Sequence, residues 1–277
     1  MKVINYKGGS KIKSYLFITD LDDTFLNMKA MVSDEIRERI NHMIHEGLQF
    51  SFITARDWNS AYKIVKGIEI NLPVAVFNGA AVVDFQSHKI LEGDYIPIES
   101  FWEIVNIANE HQLKVNFNYK NNDRVQKGSK IILEKAKKNK IRDVFSCSIV
   151  SNEKEVLNIH KKILEKKLLG VKINLYNDPN NKMIKILDIV SLYSSKGVAI
   201  ERIKKICQYT DDTTVIAFGN GENDVEMLKE ADIGVGVGNI PNSLSKYADI
   251  YLEYNGGTSI LEFLEKYFYE SPANKCQ

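Results

Sequence analysis

Short apolar runs alternate with amphipathic segments through the first third of the chain. The run Tyr15–Thr19 has the length of a buried strand, and from Ile36 to Ile44 apolar residues recur at the spacing of one helical face. The pattern then predicts a strand over Leu48–Thr54, a helix over Trp58–Gly67 and a strand over Pro73–Phe77. Strands separated by helices of this length indicate βαβ units and a parallel sheet with both faces covered.

The last third of the chain returns to the same alternation. The predicted elements are a helix with Ala199, Ile203 and Ile206 on one face, strands over Val215–Phe218, Ile233–Val237 and Asp249–Leu252, and helices over Asp224–Ala231 and Ser259–Phe268. We therefore expect the two ends of the chain, residues 1–83 and 191–277, to form one α/β core with a Rossmann-like, doubly wound parallel sheet.

The middle of the chain, residues 84–190, has a different character. It carries 19 Lys and Arg against 14 Asp and Glu, whereas acids outnumber bases in the remainder. The pattern predicts two helices, over Glu99–Glu110 and Glu153–Lys167, among segments of strand length. The predicted strands cover Val115–Tyr119, Val144–Val150, Lys172–Tyr176 and Lys185–Ile189. We interpret this region as an inserted α+β domain.

Bulk properties exclude several classes of protein. A net charge of +1 gives no global attraction to nucleic acid or to an anionic membrane. No apolar run approaches the roughly 18 residues that span a bilayer. The three cysteines show no CxxC spacing: Cys147, Cys207 and Cys276. We therefore expect neither a disulfide framework nor a zinc site, and a reducing cytoplasm is the favoured location. We expect a small-molecule substrate as partner, and a monomer or weak homodimer.

Two carboxylates, Asp20 and Asp22, follow the first predicted strand, at the end of a parallel sheet where ligands bind. One can attack phosphorus, while the other protonates the leaving oxygen and then activates water. Because two anions repel a phosphate, a divalent cation is needed, and oxygen ligands favour Mg²⁺. An acidic helix cap or solvated turn is the structural alternative, since this spacing is common.

Three further segments each indicate phosphate or metal binding weakly. Their order along the chain, after successive predicted strands, strengthens the prediction of a phosphate-binding site. Thr54-Ala-Arg56 offers a hydroxyl and main-chain N–H groups that suit an anion. Lys196 stands before a predicted helix, where it can neutralise phosphate charge. In Phe218-Gly-Asn-Gly-Glu-Asn-Asp224, the glycines allow close approach of a ligand, and Asn223 and Asp224 offer oxygens to a metal or water. Each alone is more often a helix cap, a surface lysine or an Asn-rich turn.

Together these segments resemble the four signature motifs of the haloacid dehalogenase superfamily, and most of all the Cof-like sugar and cofactor phosphatases with a type IIB cap. The resemblance covers almost the whole chain, because the insert has the position and size of that cap. Two more segments, Phe77-Asn78-Gly79-Ala80 and Leu187-Asp188-Ile189, resemble the family sequences at the two ends of the cap.

The resemblance implies a Mg²⁺-dependent phosphatase that hydrolyses a small phosphorylated metabolite, either a sugar phosphate or a cofactor-like phosphate. Asp20 would be the nucleophile, Asp22 the general acid and base, and Lys196 a further catalytic group. The implied phosphate-binding residues are Leu21, Thr54, Ala55, Lys196 and Asn223, and the implied metal ligands are Asp20, Asp22, Asn220 and Asp224.

Two positions depart from the family pattern. Asn220 stands where the family usually has Asp, so the site has one negative charge fewer, and we expect weaker binding of Mg²⁺. Ala55 stands where Gly is common, and because its main-chain N–H is retained we expect little consequence.

Three alternatives to hydrolysis remain open at this point. The first is a phosphomutase on the same fold, which would yield an isomer in place of inorganic phosphate. The second is a phosphoacceptor signalling protein, although such a protein does not need the acid and base Asp22. The third is a catalytically weakened regulator, which the amide at Asn220 suggests.

Overall fold

The structure is a computed structural model, and it describes residues 14–121, 124–129, 141–178, 181–254 and 257–270. These residues divide into two compact units. The first unit falls within Met1–Phe52, Lys63–Pro73 and Ile200–Gln277, and the second within Ile53–Tyr62 and Val74–Ala199. The predicted division into a core of 1–83 and 191–277 and a cap of 84–190 rests on the sequence pattern, and it stays a prediction.

The elements follow one another in the order that the sequence pattern predicts, with additions in the second unit. The described strands are β1 Ser14–Thr19, β2 Gln49–Phe52, β3 Pro73–Val76, β4 Ala81–Asp84, β5 Ile90–Gly93, β6 Val115–Asn121, β7 Arg124–Ser129, β8 Val144–Asn152, β9 Val171–Asp178, β10 Asn181–Ser191, β11 Thr213–Gly219, β12 Ile233–Val237 and β13 Ile250–Leu252. The described helices are α1 Asp34–His45, α2 Trp58–Ile64, α3 Ile98–Glu110, α4 Glu153–Glu165, α5 Lys196–Ile206, α6 Val225–Glu230, α7 Asn242–Ser245 and α8 Thr258–Glu270.

The first unit is built around a parallel sheet of five strands in the order β13-β12-β11-β1-β2. Strand β1, which lies between β11 and β2, is apolar on both faces, and Leu16, Phe17 and Ile18 are at most 1% exposed. Such a strand is stable only where helices cover both faces of the sheet. The order places β1 next to β11, so the residues that follow these two strands meet at one edge of the sheet. This confirms the predicted parallel α/β core.

The second unit contains an antiparallel sheet in the order β7-β6-β8-β10-β9. Helices α3 and α4 pack on one face of it, and side chains such as Phe101, Phe117 and Ile159 form a closed apolar core. A smaller sheet joins β3, β4 and β5. This confirms the predicted α+β character of the inserted region.

The structure differs from the sequence prediction mainly at strands of low hydrophobicity and at element ends. The pattern did not predict β4 and β5, which have four residues each, or β7, whose sequence RVQKGS lacks apolar alternation. The helix predicted over Trp58–Gly67 ends at Ile64. Within the described part of the chain, the helices are all too short or too polar to cross a membrane.

Candidate active site

Asp20 directly follows the last residue of β1 and is almost fully buried, with 5% of its surface exposed. Its main-chain N–H donates to the carbonyl of Phe218 at 2.9 Å, which continues the pairing of β1 with β11 by one residue. The Thr24 hydroxyl donates to Asp20 Oδ2 at 3.4 Å. The strand register and one hydroxyl therefore orient a buried carboxylate at the sheet edge.

The chain turns tightly after Asp20, over Leu21–Phe25. Leu21 and Phe25 are buried and anchor this turn in the core, and the Leu26 N–H closes it on the Leu21 carbonyl at 2.9 Å. Between the anchors, Asp22 is half-buried with extended backbone, and exposed Asp23 has a φ of 54°. Asp tolerates this left-handed conformation better than most residues. The two buried residues fix the ends of the turn, so Asp22 between them stays accessible to solvent next to the buried Asp20.

The loop after β11 is organised around Asp224, whose side chain is fully buried. Its Oδ2 accepts two main-chain hydrogen bonds, from Asn220 and Gly221, both at 2.9 Å. A Cβ at Gly219 would lie 2.6 Å from the Cβ of Asp224, so a glycine is required where β11 ends. Asn223 is half-buried, and its Oδ1 would lie 2.8 Å from a Cβ at Gly221. Asp224 thus shapes the loop that carries Asn220 and Asn223.

Asn220 links the two acidic loops of the first unit. Its side-chain N–H₂ donates to the main-chain carbonyl of Asp23 at 3.1 Å. An aspartate at this position would have no proton to donate and would bring a second oxygen toward that carbonyl. The amide therefore has a structural role that an aspartate could not fill in the same way.

Thr54 belongs to the second unit and is fully buried. Its N–H donates to the Ala75 carbonyl at 3.0 Å, next to the bridge between Ile53 and Ala75, and its hydroxyl accepts from the N–H of Arg56 at 3.2 Å. Helix α2 is capped by Asp57, whose Oδ1 accepts from the Ser60 N–H at 3.0 Å. Thr54 is therefore not the helix cap, and Ala55, which is half-buried, lies in the turn before it.

Lys196 is the first residue of α5 and is 1% exposed. The preceding Ser195 caps the helix, since its hydroxyl accepts from the Val198 N–H at 3.2 Å. A buried lysine is rare and requires negative charge or several acceptors nearby. The prediction of a lysine just before a helix is corrected by one position, because the helix starts at Lys196 itself.

The short turn Phe77–Gly79 joins the Thr54 loop to the start of α5 within the second unit. The Phe77 N–H donates to the Arg56 carbonyl at 3.1 Å, and the Asn78 N–H donates to the Thr54 carbonyl at 2.9 Å. On its other side, a Cβ at Gly79 would lie 2.2 Å from the Ser195 carbonyl oxygen. This glycine has a φ of 90°, so both its conformation and the close contact exclude a side chain. The structure thus brings the Thr54 and Lys196 segments together.

The predicted metal ligands can be tested by their donor chemistry. Among the residues described, no group of three or more His, Cys, Asp and Glu side chains is arranged to hold a metal ion. The predicted set is of another kind, with the carboxylates of Asp20 and Asp224, the amide of Asn220 and the main-chain carbonyl of Asp22. Mg²⁺ commonly takes one or two carboxylates and keeps several waters, so this oxygen set fits the ion.

Sequence reasoning missed three residues that support these loops. It did not assign Thr24, which bonds Asp20, or the side chains of Asn78 and Asp188, which bond each other at 3.4 Å. The contact of Thr24 could have been predicted, because its hydroxyl lies four residues after Asp20 within the same short loop. No local pattern marks a contact between residues 78 and 188. Of the cysteines, Cys147 and Cys207 are free thiols, and Cys276 lies outside the described residues.

Comparisons with known proteins identify the family of this chain. The family model of the haloacid dehalogenase-like hydrolases matches residues 17–264. The chain is 23% identical over 279 residues to 5-amino-6-(5-phospho-D-ribitylamino)uracil phosphatase YitU of Bacillus subtilis, covering 92% of this chain and 98% of that one.

Solved structures show the same fold. A haloacid dehalogenase-like hydrolase from Bacteroides thetaiotaomicron superposes with a TM-score of 0.71 at 21% identity, covering 92% of this chain and 99% of that one. The subclass IIB sugar phosphatase BT4131 gives a TM-score of 0.66 at 15% identity, covering 92% and 98% of the two chains.

Proposed function

Since this chain belongs to the haloacid dehalogenase-like hydrolases and is a phosphoric monoester hydrolase, we propose that it acts through a phosphoaspartyl intermediate on Asp20. The observation that carries the proposal is the position of Asp20, a buried carboxylate at the end of β1, beside the half-buried Asp22. The substrate is a small phosphorylated metabolite.

Hydrolysis proceeds in two displacements. In the first, an oxygen of Asp20 attacks phosphorus, the bond from phosphorus to the ester oxygen breaks, and Asp22 protonates the leaving alcohol. In the second, Asp22 takes a proton from water, and the resulting hydroxide attacks the phosphorus of the phosphoaspartate. Inorganic phosphate leaves and Asp20 is regenerated. The partial exposure of Asp22 suits a group that exchanges protons in each cycle.

The remaining predicted residues stabilise charge on the transferring phosphoryl group. Thr54, Lys196 and Asn223 bind its oxygens, together with the main-chain N–H groups of Leu21 and Ala55. Asp20, Asp22, Asn220 and Asp224 would hold Mg²⁺, which when bound would supply positive charge against the phosphate oxygens. Burial of Lys196 supports this role, because an ammonium group removed from water interacts strongly with an anion.

The setting of the enzyme is part of the same proposal. The enzyme in this proposal is a cytoplasmic monomer or weak homodimer. The free thiols support a reducing compartment, and the net charge of +1 supports the absence of nucleic-acid and membrane partners. The substrate, in this proposal, is a sugar phosphate or a cofactor-like phosphate.

The test is a phosphate-release screen over phosphorylated sugars, sugar alcohols and cofactors, with Mg²⁺ or with a chelator. We expect the wild type to release inorganic phosphate and Asp20→Asn to lose activity by about 10³-fold or more, since an amide is not a nucleophile. Activity that survives this substitution would overturn the mechanism. An isomeric product without free phosphate would instead indicate a phosphomutase.

A further inference from the structure

Strand β9, Val171–Asp178, forms one edge of the antiparallel sheet in the second unit. Within the described residues its strand partner is β10, and the order of the sheet ends at β9. An edge strand presents main-chain N–H and C=O groups that can pair with a further strand, and proteins often limit this pairing by keeping edge strands short. With eight residues, β9 is longer than a typical strand of about five or six. Its outer side is therefore a surface on which another strand can pair.

The two charged side chains of β9 have opposite signs and lie near opposite ends of the strand. Lys172 is its second residue and Asp178 its last. When two copies of β9 pair antiparallel and Leu175 faces the same residue of the second copy, each Lys172 lies opposite an Asp178. Cross-strand pairs of opposite charge stabilise an antiparallel sheet, and this register forms one such pair at each end. A shift of two residues in either direction loses both pairs, so the charges favour one register.

Leu175, at the centre of this register, is poorly covered by its own chain. Val171 and Ile173 pack against the core that α3 and α4 cover, whereas Leu175 on the same face is 40% exposed. In this register the two Leu175 side chains lie opposite each other, with Cβ atoms about 5 Å apart, and each covers the other. Because alternate residues share a face, the helices of both copies lie on the same side of the joined sheet.

Exposed apolar side chains lie at both ends of the β9 edge. Where β9 begins, Leu169 is 81% exposed and Leu192 is 55% exposed, and the Leu192 N–H donates to the Gly170 carbonyl at 2.9 Å. At the other end, Met183 is 80% exposed in the irregular start of β10. Antiparallel pairing brings opposite ends of two strands together, so the leucines of one copy meet the methionine end of the other. This contact occurs twice, as a two-fold symmetric interface requires.

We propose that two copies of this protein associate through β9, so that the five strands of each copy form one continuous antiparallel sheet. The opposite edge suits this pairing less well. Strand β7 has six residues, and both of its charged side chains, Arg124 and Lys127, are basic. One pair of strands buries little area compared with the about 1,600 Å² of a typical stable interface, so we expect a dimer that dissociates on dilution. The β9 edge contains none of the residues assigned to hydrolysis, and the inference therefore goes beyond the proposed function.

The test measures the dimer dissociation constant of the full-length protein by sedimentation velocity over a dilution series. Lys172→Asp places two acids opposite each other at both ends of the strand pair, and Asp178→Lys places two lysines there. We expect each variant to raise Kd by about tenfold or more, since like charges in directly opposite positions destabilise pairing. Lys114→Asp is the matched control, because this exposed lysine precedes β6, which β8 and β10 separate from β9. Its Kd should stay within about twofold of wild type.

Mixing the two variants tests the register itself. In a mixed dimer, the Lys172→Asp copy carries acids at both positions and the Asp178→Lys copy carries lysines at both, so each acid faces a lysine. The mixture should therefore form a heterodimer with a Kd within about threefold of wild type, although each variant alone stays monomeric at that concentration. A change that only disturbed the fold of one copy would not be corrected in this way.

Leu175→Cys keeps the test decisive if the charge variants misfold. Its thiol would face the same thiol of the second copy, and oxidised glutathione should link the two copies by a disulfide that a non-reducing gel detects. Leu164→Cys, at a residue of α4 that is 57% exposed, should form much less of this product. A wild type that sediments as a monomer up to its solubility limit, or a dimer that neither charge reversal weakens, would overturn the inference. Either result leaves phosphate release, and with it the proposed function, untouched.

Discussion

The two sheets of this protein keep their polar side chains in different places. In the parallel sheet of the first unit, β1 is apolar on both faces, and Asp20 and Asn220 stand just beyond the strand ends. In the antiparallel sheet of the second unit, one row of polar residues crosses four strands on the face away from α3 and α4, and we call this row the polar face: Asn116, Ser148, Asp188 and Asn174. A sheet covered on both faces leaves only its ends for chemistry, whereas a sheet covered on one face leaves a surface for recognition. Changes at the strand ends should therefore abolish turnover, and changes on the polar face should alter selectivity and stability.

After Asp20→Asn, the change Asp22→Asn should have the largest effect, because it removes the proton donor and acceptor of both displacements. We expect kcat for an alkyl phosphate to fall by about 10²–10⁴-fold. With p-nitrophenyl phosphate, whose leaving group needs no proton, the first displacement should still occur. Stopped-flow measurement should then show a burst of about one p-nitrophenol per enzyme before turnover stalls.

Asp23→Asn is the matched control, since it makes the same change one residue later in an exposed position. Its kcat should stay within about threefold of wild type, because Asn also tolerates the left-handed backbone at this residue. If the Asp22 variant turned over alkyl phosphates at the wild-type rate, the acid and base role would be wrong, and so would the assignment of chemistry to this strand end.

Asn220→Asp should change stability by a smaller amount, and the sign of the change should depend on Mg²⁺. In the presence of a chelator, loss of the hydrogen bond to the Asp23 carbonyl should lower the free energy of unfolding by about 1–2 kcal/mol. With Mg²⁺, the added negative charge should strengthen cation binding, so the melting temperature should rise more than that of the wild type.

The measurement is a thermal melt of each variant over a Mg²⁺ titration, with Asn242→Asp as a charge-matched control at an exposed residue of the same unit. If the variant at residue 220 melted at the wild-type temperature in chelator, the hydrogen bond from the Asn220 amide to the Asp23 carbonyl would not stabilise the fold. An unchanged response to Mg²⁺ would instead remove Asn220 from the ligand set.

The contrast between the sheets also explains what the sequence could predict. The run before Asp20 is continuous and apolar, so pattern alone locates the strand and the carboxylate that follows it. The bond from Asn220 to Asp23 joins residues that are distant in sequence, and only the pairing of β1 with β11 brings them together.

The polar face was beyond prediction for a related reason. Its rows depend on the register of four strands, and a shift of one residue would turn each side chain to the other face. The edge strand β7 was missed altogether because its polar sequence carries no periodic signal. The sequence predicts a segment that has its own hydrophobic periodicity. It does not predict the register in which separate strands pair.

The smallest expected effect is a pH-dependent gain of stability in Asp188→Asn. Because the folded protein raises the pKa of this carboxyl from 3.8 to about 6, its ionisation costs stability above about pH 6 and costs nothing below about pH 4. The amide carries no such cost, so urea unfolding should show the variant more stable by about 1 kcal/mol at neutral pH, a value reduced by partial exposure of the side chain. The difference should vanish as the pH falls through this window. Glu110→Gln, the same carboxylate-to-amide change at an exposed residue of α3, should show no trend of this kind. A variant that is less stable than wild type at neutral pH would contradict this expectation, because it would mean that the carboxylate and its hydrogen bonds strengthen the fold.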